Sequence, residues 1–332
     1  MKNRILTLKN PCKISATYSI VGQKEIEGPL GGYYDEYCKD NRFGKSSWEK
    51  SESEMQRRAL NGAIKKSGYN IDDLDLLLAG DLLNQCVGSA YGLSGFGVPY
   101  LGLYGACSTC ALGLGIGACL YSGGIIELCG AVTSSHFCSS ERQFRFPLEY
   151  GGQRTPTSQW TTTGAGAFII GKEGKCEICQ VLFGEITDMG IKDISNMGAA
   201  MAPAAIKTIR DYFELSSLSP SDFDLIVTGD LGFEGSEILK DLLLGHGIDI
   251  RKNHVDCGLM VFDRENQDVH SGGSGCGCSA VAMASTIIPN IENGILNDVL
   301  FIGTGALMSP MTVFQGESIP AVAHLIRIRR CQ

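Results

Sequence analysis

The sequence predicts an α/β protein built from two similar halves, and two internal echoes carry that expectation. The phrase Leu74-Asp75-Leu76-Leu77-Leu78-Ala79-Gly80-Asp81-Leu82 returns as Phe223-Asp224-Leu225-Ile226-Val227-Thr228-Gly229-Asp230-Leu231, 149 residues later in a chain of 332. Ile125-Ile126-Glu127-Leu128-Cys129-Gly130-Ala131 returns as Asp298-Val299-Leu300-Phe301-Ile302-Gly303-Thr304, 173 residues later. Each is a short apolar run, and the first pair stops at Gly-Asp, as a buried strand ending in a turn does. Both echoes fall in the same order, so the halves are read as duplicates, with about two dozen extra residues in the second.

Along the chain, residues 28–53 lack periodicity and read as a long arm covering a site or a partner. A helix-like stretch over 54–66 precedes the first Gly-Asp strand. A Gly-rich loop then leads into Gly105-Ala106-Cys107-Ser108-Thr109 and a helix of small residues over 110–121. Residues 134–160 form a polar insertion, and a Gly-flanked strand over 161–171 closes the first half. The expected halves are therefore 1–172 and 173–332. The second half repeats a helix over 201–213 and a strand, then Val269-His270-Ser271-Gly272-Gly273-Ser274-Gly275, a small-residue helix from Cys276 and a last strand from Asp298. Alternating strands and helices predict largely parallel pairing, and the basic tail over 324–330 alternates like an edge strand.

Composition narrows the function. A net charge of −8 opposes nucleic acid as a partner, because phosphate binding needs clustered cations. No apolar run approaches the roughly 18 residues that span a bilayer, and the first ten residues lack the core of a secretion signal. The 14 cysteines of a chain this long are expected to stay reduced. Cys107/Cys110 and Cys176/Cys179 have CxxC spacing and Cys276/Cys278 a CxC, but the pairs lie far apart in sequence and no metal is expected.

Cys107 stands in a small-residue turn at a helix start, where free amides and the dipole lower a thiol pKa and hold an oxyanion. The turn Gly105-Ala106-Cys107-Ser108-Thr109 resembles the nucleophile turn of the thiolase and β-ketoacyl synthase superfamily. That resemblance implies a thiolase-like fold, two duplicated βαβαβαββ halves in α-β-α-β-α layers. His270, with Gly273 three residues on, resembles the superfamily's GHxxGxxG turn in part. Asp230 aligns where condensing enzymes carry HQAN or HGTS and thiolases Asn, and Phe301 aligns with the second thiolase cysteine. An ionised carboxylate at that place opposes a developing carbanion. Cys107, Asp230 and His270 are therefore read as vestiges of a catalytic site, with acyl transfer through Cys107 as the alternative.

A closer resemblance, over essentially the whole chain, is to the stage V sporulation protein AD family. It rests on Glu27-Gly28-Pro29-Leu30-Gly31, Phe43-Gly44, the Cys107 turn, Ser135-His136-Phe137-Cys138, Glu141-Arg142-Gln143-Phe144-Arg145-Phe146-Pro147, Gln153-Arg154, Gln159-Trp160-Thr161 and Thr228-Gly229-Asp230. The resemblance implies a dipicolinic acid ligand, alone or with calcium, and no cofactor. It further implies a homodimer, small membrane protein partners of the same transport system, and a place at the inner membrane of the spore. In the insertion, Arg142, Arg145 and Arg154 offer forked donors, Phe144, Phe146 or Trp160 a stacking face, and His136 a switchable donor for a planar dicarboxylate. The competing reading pairs these arginines with Glu141 and Glu149 on a solvated loop. A third possibility is a docking subunit with a vestigial pocket.

Overall fold

A computed structural model describes residues 4–144 and 154–331. The first half runs β1 (Leu6–Val21), α1 (Gln23–Ile26), β2 (Glu36–Tyr37), α2 (Trp48–Ser67), β3 (Leu76–Gly80), α3 (Val87–Leu93), β4 (Tyr100–Gly102), α4 (Thr109–Ser122), β5 (Cys129–Ser135), α5 (Phe137–Phe144), β6 (Trp160–Thr161) and β7 (Gly164–Gly171). The second runs β8 (Cys176–Leu182), α6 (Met197–Ser216), β9 (Leu225–Thr228), α7 (Gly232–Gly245), β10 (His254–Asp256), α8 (Cys257–Val261), β11 (Gly273–Ser274) and α9 (Cys276–Ala282). A π-turn joins α9 to α10 (Ile288–Glu292), before β12 (Asp298–Ala306), α11 (Pro310–Phe314) and β13 (Ala321–Arg330).

The main strands follow the path β10-β9-β12-β13-β8-β1-β7-β5-β3-β4. Read inward from either end the pattern is the same, so β3 answers β9, β5 answers β12 and β7 answers β13, with β1 and β8 meeting in the middle. Helix α2 packs outside the first set of strands and α6 outside the second, while α4 touches β3 and β5 on one side and β12 and β13 on the other. This is the layered thiolase-like arrangement.

Local chemistry sets these elements. Helix α2 starts where the Ser47 side chain accepts from the Lys50 amide at 3.4 Å, and ends at Gly68 with φ +79°. Helix α4 is rich in small residues because it packs closely against strands from both halves of the main sheet. A methyl group on Gly117 would sit 2.6 Å from the Ile170 side chain.

Four expectations are corrected. Ladders between β3, β4 and β5 and between β9, β10 and β12 are parallel, but β1, β7, β8 and β13 pair antiparallel where the halves join. The basic tail is an interior strand, because β13 pairs with both β12 and β8. Trp48 and Ser53 belong to α2 instead of the arm, and the start of the polar insertion holds the end of β5 and α5. The second echo is out of register: Leu76 pairs with Cys129 and Leu225 with Val299, so Val299 answers Cys129, where the echo had placed Ile302.

Candidate functional site

The Cys107 turn is wound tightly by its own polar groups. Ala106 takes φ +48°, and the Ser108 and Thr109 hydroxyls donate back to the Gly105 and Ala106 carbonyls at 2.6 and 2.7 Å. The end of β12 nests against this turn through glycine. A Cβ on Gly305 would meet the Gly105 carbonyl oxygen at 2.3 Å. Cys107 thus sits buried at the foot of α4, facing the second half.

The second half answers with Asp230, directly after β9. Its carboxylate accepts from the Thr304 hydroxyl at 2.8 Å, the Ser274 hydroxyl at 3.1 Å and the Gly275 amide at 2.9 Å, and the Cys107 thiol lies beside it. Burial pushes this carboxyl up to about 7; the Cys107 thiol opposes that and the Asp256 charge adds to it. Asp256, behind it, accepts from Thr228 and from the Leu231, Gly232 and Gly258 amides. Burial nonetheless raises it to about 6.

The thiol moves opposite to expectation. Burial first, and the neighbouring Asp230 second, raise Cys107 well above an ordinary thiol. The helix-start amides expected to favour a thiolate are outweighed by desolvation in a site with a carboxyl partner.

A small cleft opens above Cys107, with Asp230 buried behind Cys107 and Ser274 and not on its wall. Leu82, Phe144, Met197 and Met308 give it apolar walls, and Glu141, Thr161 and Ser274 its polar groups. No Lys, Arg or His is among its described lining residues.

Of the residues expected to meet a ligand, Cys107 and Asp230 come together and most others lie elsewhere. His136 is fully buried: its Nε2 lies 2.7 Å from the Asn41 carbonyl and its Nδ1 accepts from the Cys138 amide at 3.1 Å. Burial lowers its pKa to about 4, so it is a neutral structural imidazole instead of a switchable donor. Arg142 is exposed and pairs with Glu49. Trp160 stacks on Phe137 with centroids 3.9 Å apart, and the Lys24 ammonium and Arg154 guanidinium lie 3.8 and 4.9 Å from its ring centre. That cluster stands beside the two-residue ribbon of β6 and β11, and only Thr161 of β6 reaches the cleft. His270 pairs with Asp268 at 3.1 Å and does not line the cleft; from its turn Ser274 does. Arg145, with Phe146 and Glu149, lies outside the described residues. Phe301 is buried in the core, and β12 presents Thr304 to Asp230 in its place.

Sequence reasoning missed Thr304, Ser274, Glu141 and Asp256. It also missed a second pair of buried acids on the first-half side. Glu52 of α2 accepts from the Ser134 and Ser139 hydroxyls at 3.0 and 2.8 Å, and burial, then Asp81, push it up to about 8. Asp81 is the duplicate of Asp230, and this repeat was the signal that pointed there. The 14 cysteines are all free thiols, and the described residues contain no group of three or more acidic, His or Cys side chains arranged to hold a metal.

Comparison with known proteins agrees with this fold. The profile of a family described as stage V sporulation protein AD matches residues 2–329. Stage V sporulation protein AD of Bacillus subtilis (strain 168) is 41% identical over 323 residues, covering 97% of this chain and 95% of the relative. Among solved structures, 3-oxoacyl-[acyl-carrier-protein] synthase III from Aquifex aeolicus VF5 superposes with a TM-score of 0.56 at 13% identity, covering 96% of this chain and 99% of its own. OleA from Xanthomonas campestris gives 0.60 at 14% identity, covering 98% and 99%. At such identities the likeness speaks for the fold alone.

Proposed function

The chain belongs to the stage V sporulation protein AD family, and from that premise we propose that it binds dipicolinic acid in the Cys107–Asp230 cleft and serves its uptake into the developing spore without chemical turnover. One observation carries the reading: the thiol at the nucleophile position and the carboxyl beside it are both buried, and burial favours the protonated form of each. Thiolate chemistry needs a base beside the sulfur and a positive environment to hold its charge. Among the described residues this site offers neither an imidazole nor a cation. The apolar walls suit a flat aromatic body.

The same reading includes a homodimer and a peripheral place at the spore inner membrane, beside small membrane proteins. No helix among the described residues is long and apolar enough to cross a membrane. Calcium enters as part of the cargo, bridging ligand and site carboxylates through oxygen ligands.

The alternative, acyl transfer through Cys107, is favoured by the fold shared with acyl-carrier synthases. Two measurements separate the readings. Calorimetry is expected to show saturable dipicolinate binding, while incubation with an acyl-CoA leaves the protein mass unchanged. A mass increase abolished by Cys107→Ser would overturn the binder and establish the enzyme. Membrane recruitment unaffected by loss of dipicolinate binding would instead favour a docking subunit.

A further inference from the structure

We propose that a carboxylate ligand enters the Cys107–Asp230 cleft together with a proton, so that the site fills in mildly acidic conditions and empties as the pH rises. The inference rests on the dipicolinate-binding reading and concerns how that same site is regulated.

The argument starts from the groups that face Asp230. Cys107 reaches it from the turn before α4, Asp256 from the end of β10, Cys257 from α8, and Cys276 and Cys278 from α9. Glu52 and Asp81 act on Cys276 from α2 and the end of β3. On the cleft wall, Glu141 of α5 accepts from the Thr161 hydroxyl at 3.1 Å. His254 joins Asp256 only through the Thr228 hydroxyl, 2.9 Å from its Nε2, and burial holds it neutral. Tyr104 adds a phenol on the cleft wall, held protonated by burial, so every ionisable group that the described residues bring to this place is an acid, a thiol, a phenol or a neutral imidazole.

Such a box tolerates little negative charge. Dipicolinate carries two carboxylates at neutral pH, and seating one against Cys107 and Ser274, the wall residues in front of the buried Asp230, brings it near an ionised Asp230 in a desolvated space. Protonation of Asp230 removes one of these like charges. It also turns an acceptor-only group into one with an O–H donor, which releases the Ser274 hydroxyl on the cleft wall from donating to Asp230. The balance is simple: the Asp230 carboxylate takes one proton from solvent as the ligand binds and returns it on release. Ligand affinity and proton affinity then rise together, because linkage is reciprocal.

The test is calorimetric titration of the full chain with sodium dipicolinate, calcium-free, from pH 6 to 9, in phosphate and in Tris, whose ionisation heats differ. Above pH 7 the expected result is about one proton taken up per ligand and about a tenfold loss of affinity per pH unit. Asp230→Asn is expected to flatten the profile and abolish proton uptake. Should that variant misfold, Thr304→Val serves instead: it removes a bond that stabilises the carboxylate and shifts the midpoint to higher pH. Wild-type binding with no proton exchange and a flat profile would overturn the inference while leaving the binding reading intact. So would binding that appears only with calcium and carries no proton. Absence of binding at every pH, with and without calcium, would overturn the binding reading itself.

Discussion

At the scale of single residues, Cys107 and Asp230 were legible in the sequence because each ends a local phrase, a small-residue turn before a helix and a Gly-Asp stop after a strand. Their partners were not, because Thr304 and Ser274 reach Asp230 across strands that are 74 and 44 residues away in the chain. The surroundings of Arg142 and Trp160 were hidden for a different reason: composition offers a donor and a ring without saying that Glu49 takes Arg142 or that Phe137 stacks on the indole. The state of the thiol separates a binder from an enzyme at this scale. At pH 7.5 iodoacetamide is expected to label Cys107 about tenfold or more slowly than half-exposed Cys38, the rate climbing beyond pH 9 without a plateau. Peptide mapping by mass spectrometry checks this, and a plateau near neutral pH would indicate an activated thiolate.

Among the elements, strands β3, β5, β9 and β12 and the cores of α2, α4 and α6 were readable from apolar runs, helix-like stretches and small-residue composition. The register of β12 was not, because a buried strand of similar apolar residues carries no alternation to fix it. The structure fixes it through contact: Gly303 and Gly305 must lie where the Cys107 turn presses on the strand. A methyl group at 305 would overlap the Gly105 carbonyl, which backbone movement alone could relieve. Gly305→Ala is therefore expected to lower stability by about 2–4 kcal/mol and weaken dipicolinate binding. A urea midpoint shift with unchanged slope would measure the first effect, and unchanged stability would show that the turn does not depend on this nesting.

Over the whole molecule, the halves enclose more titratable groups than a surface would leave perturbed. Burial raises Glu25 and Asp230 to about 7 and Glu52 to about 8. These carboxyls hold protons when folded that they lose when unfolded, so their contribution falls as pH rises through those values. Burial lowers His136 and His324 to about 4 and His254 to about 3. The imidazoles favour the folded state above the ordinary histidine range, and that contribution is lost as pH falls from there toward those lowered values. From pH 6.5 to 8 the carboxyls dominate, and folding stability is expected to drop by about 2 kcal/mol, seen as a falling Tm in calorimetric scans. A flat or rising Tm over that range would show that the buried acids ionise freely.

The duplicated phrases determined the two-half scaffold, since a strand followed by Gly-Asp is local information that survives in the order of residues. The second copy of the Gly-Asp phrase also placed Asp230, and the small-residue turn before a helix placed Cys107. Only the tertiary structure decided what those turns can do: packing one half against the other removed water from both, set a thiol against a carboxyl and left no described cation between them. Desolvation and like-charge proximity are properties of the assembled interior, and they turned a predicted nucleophile into a protonated thiol.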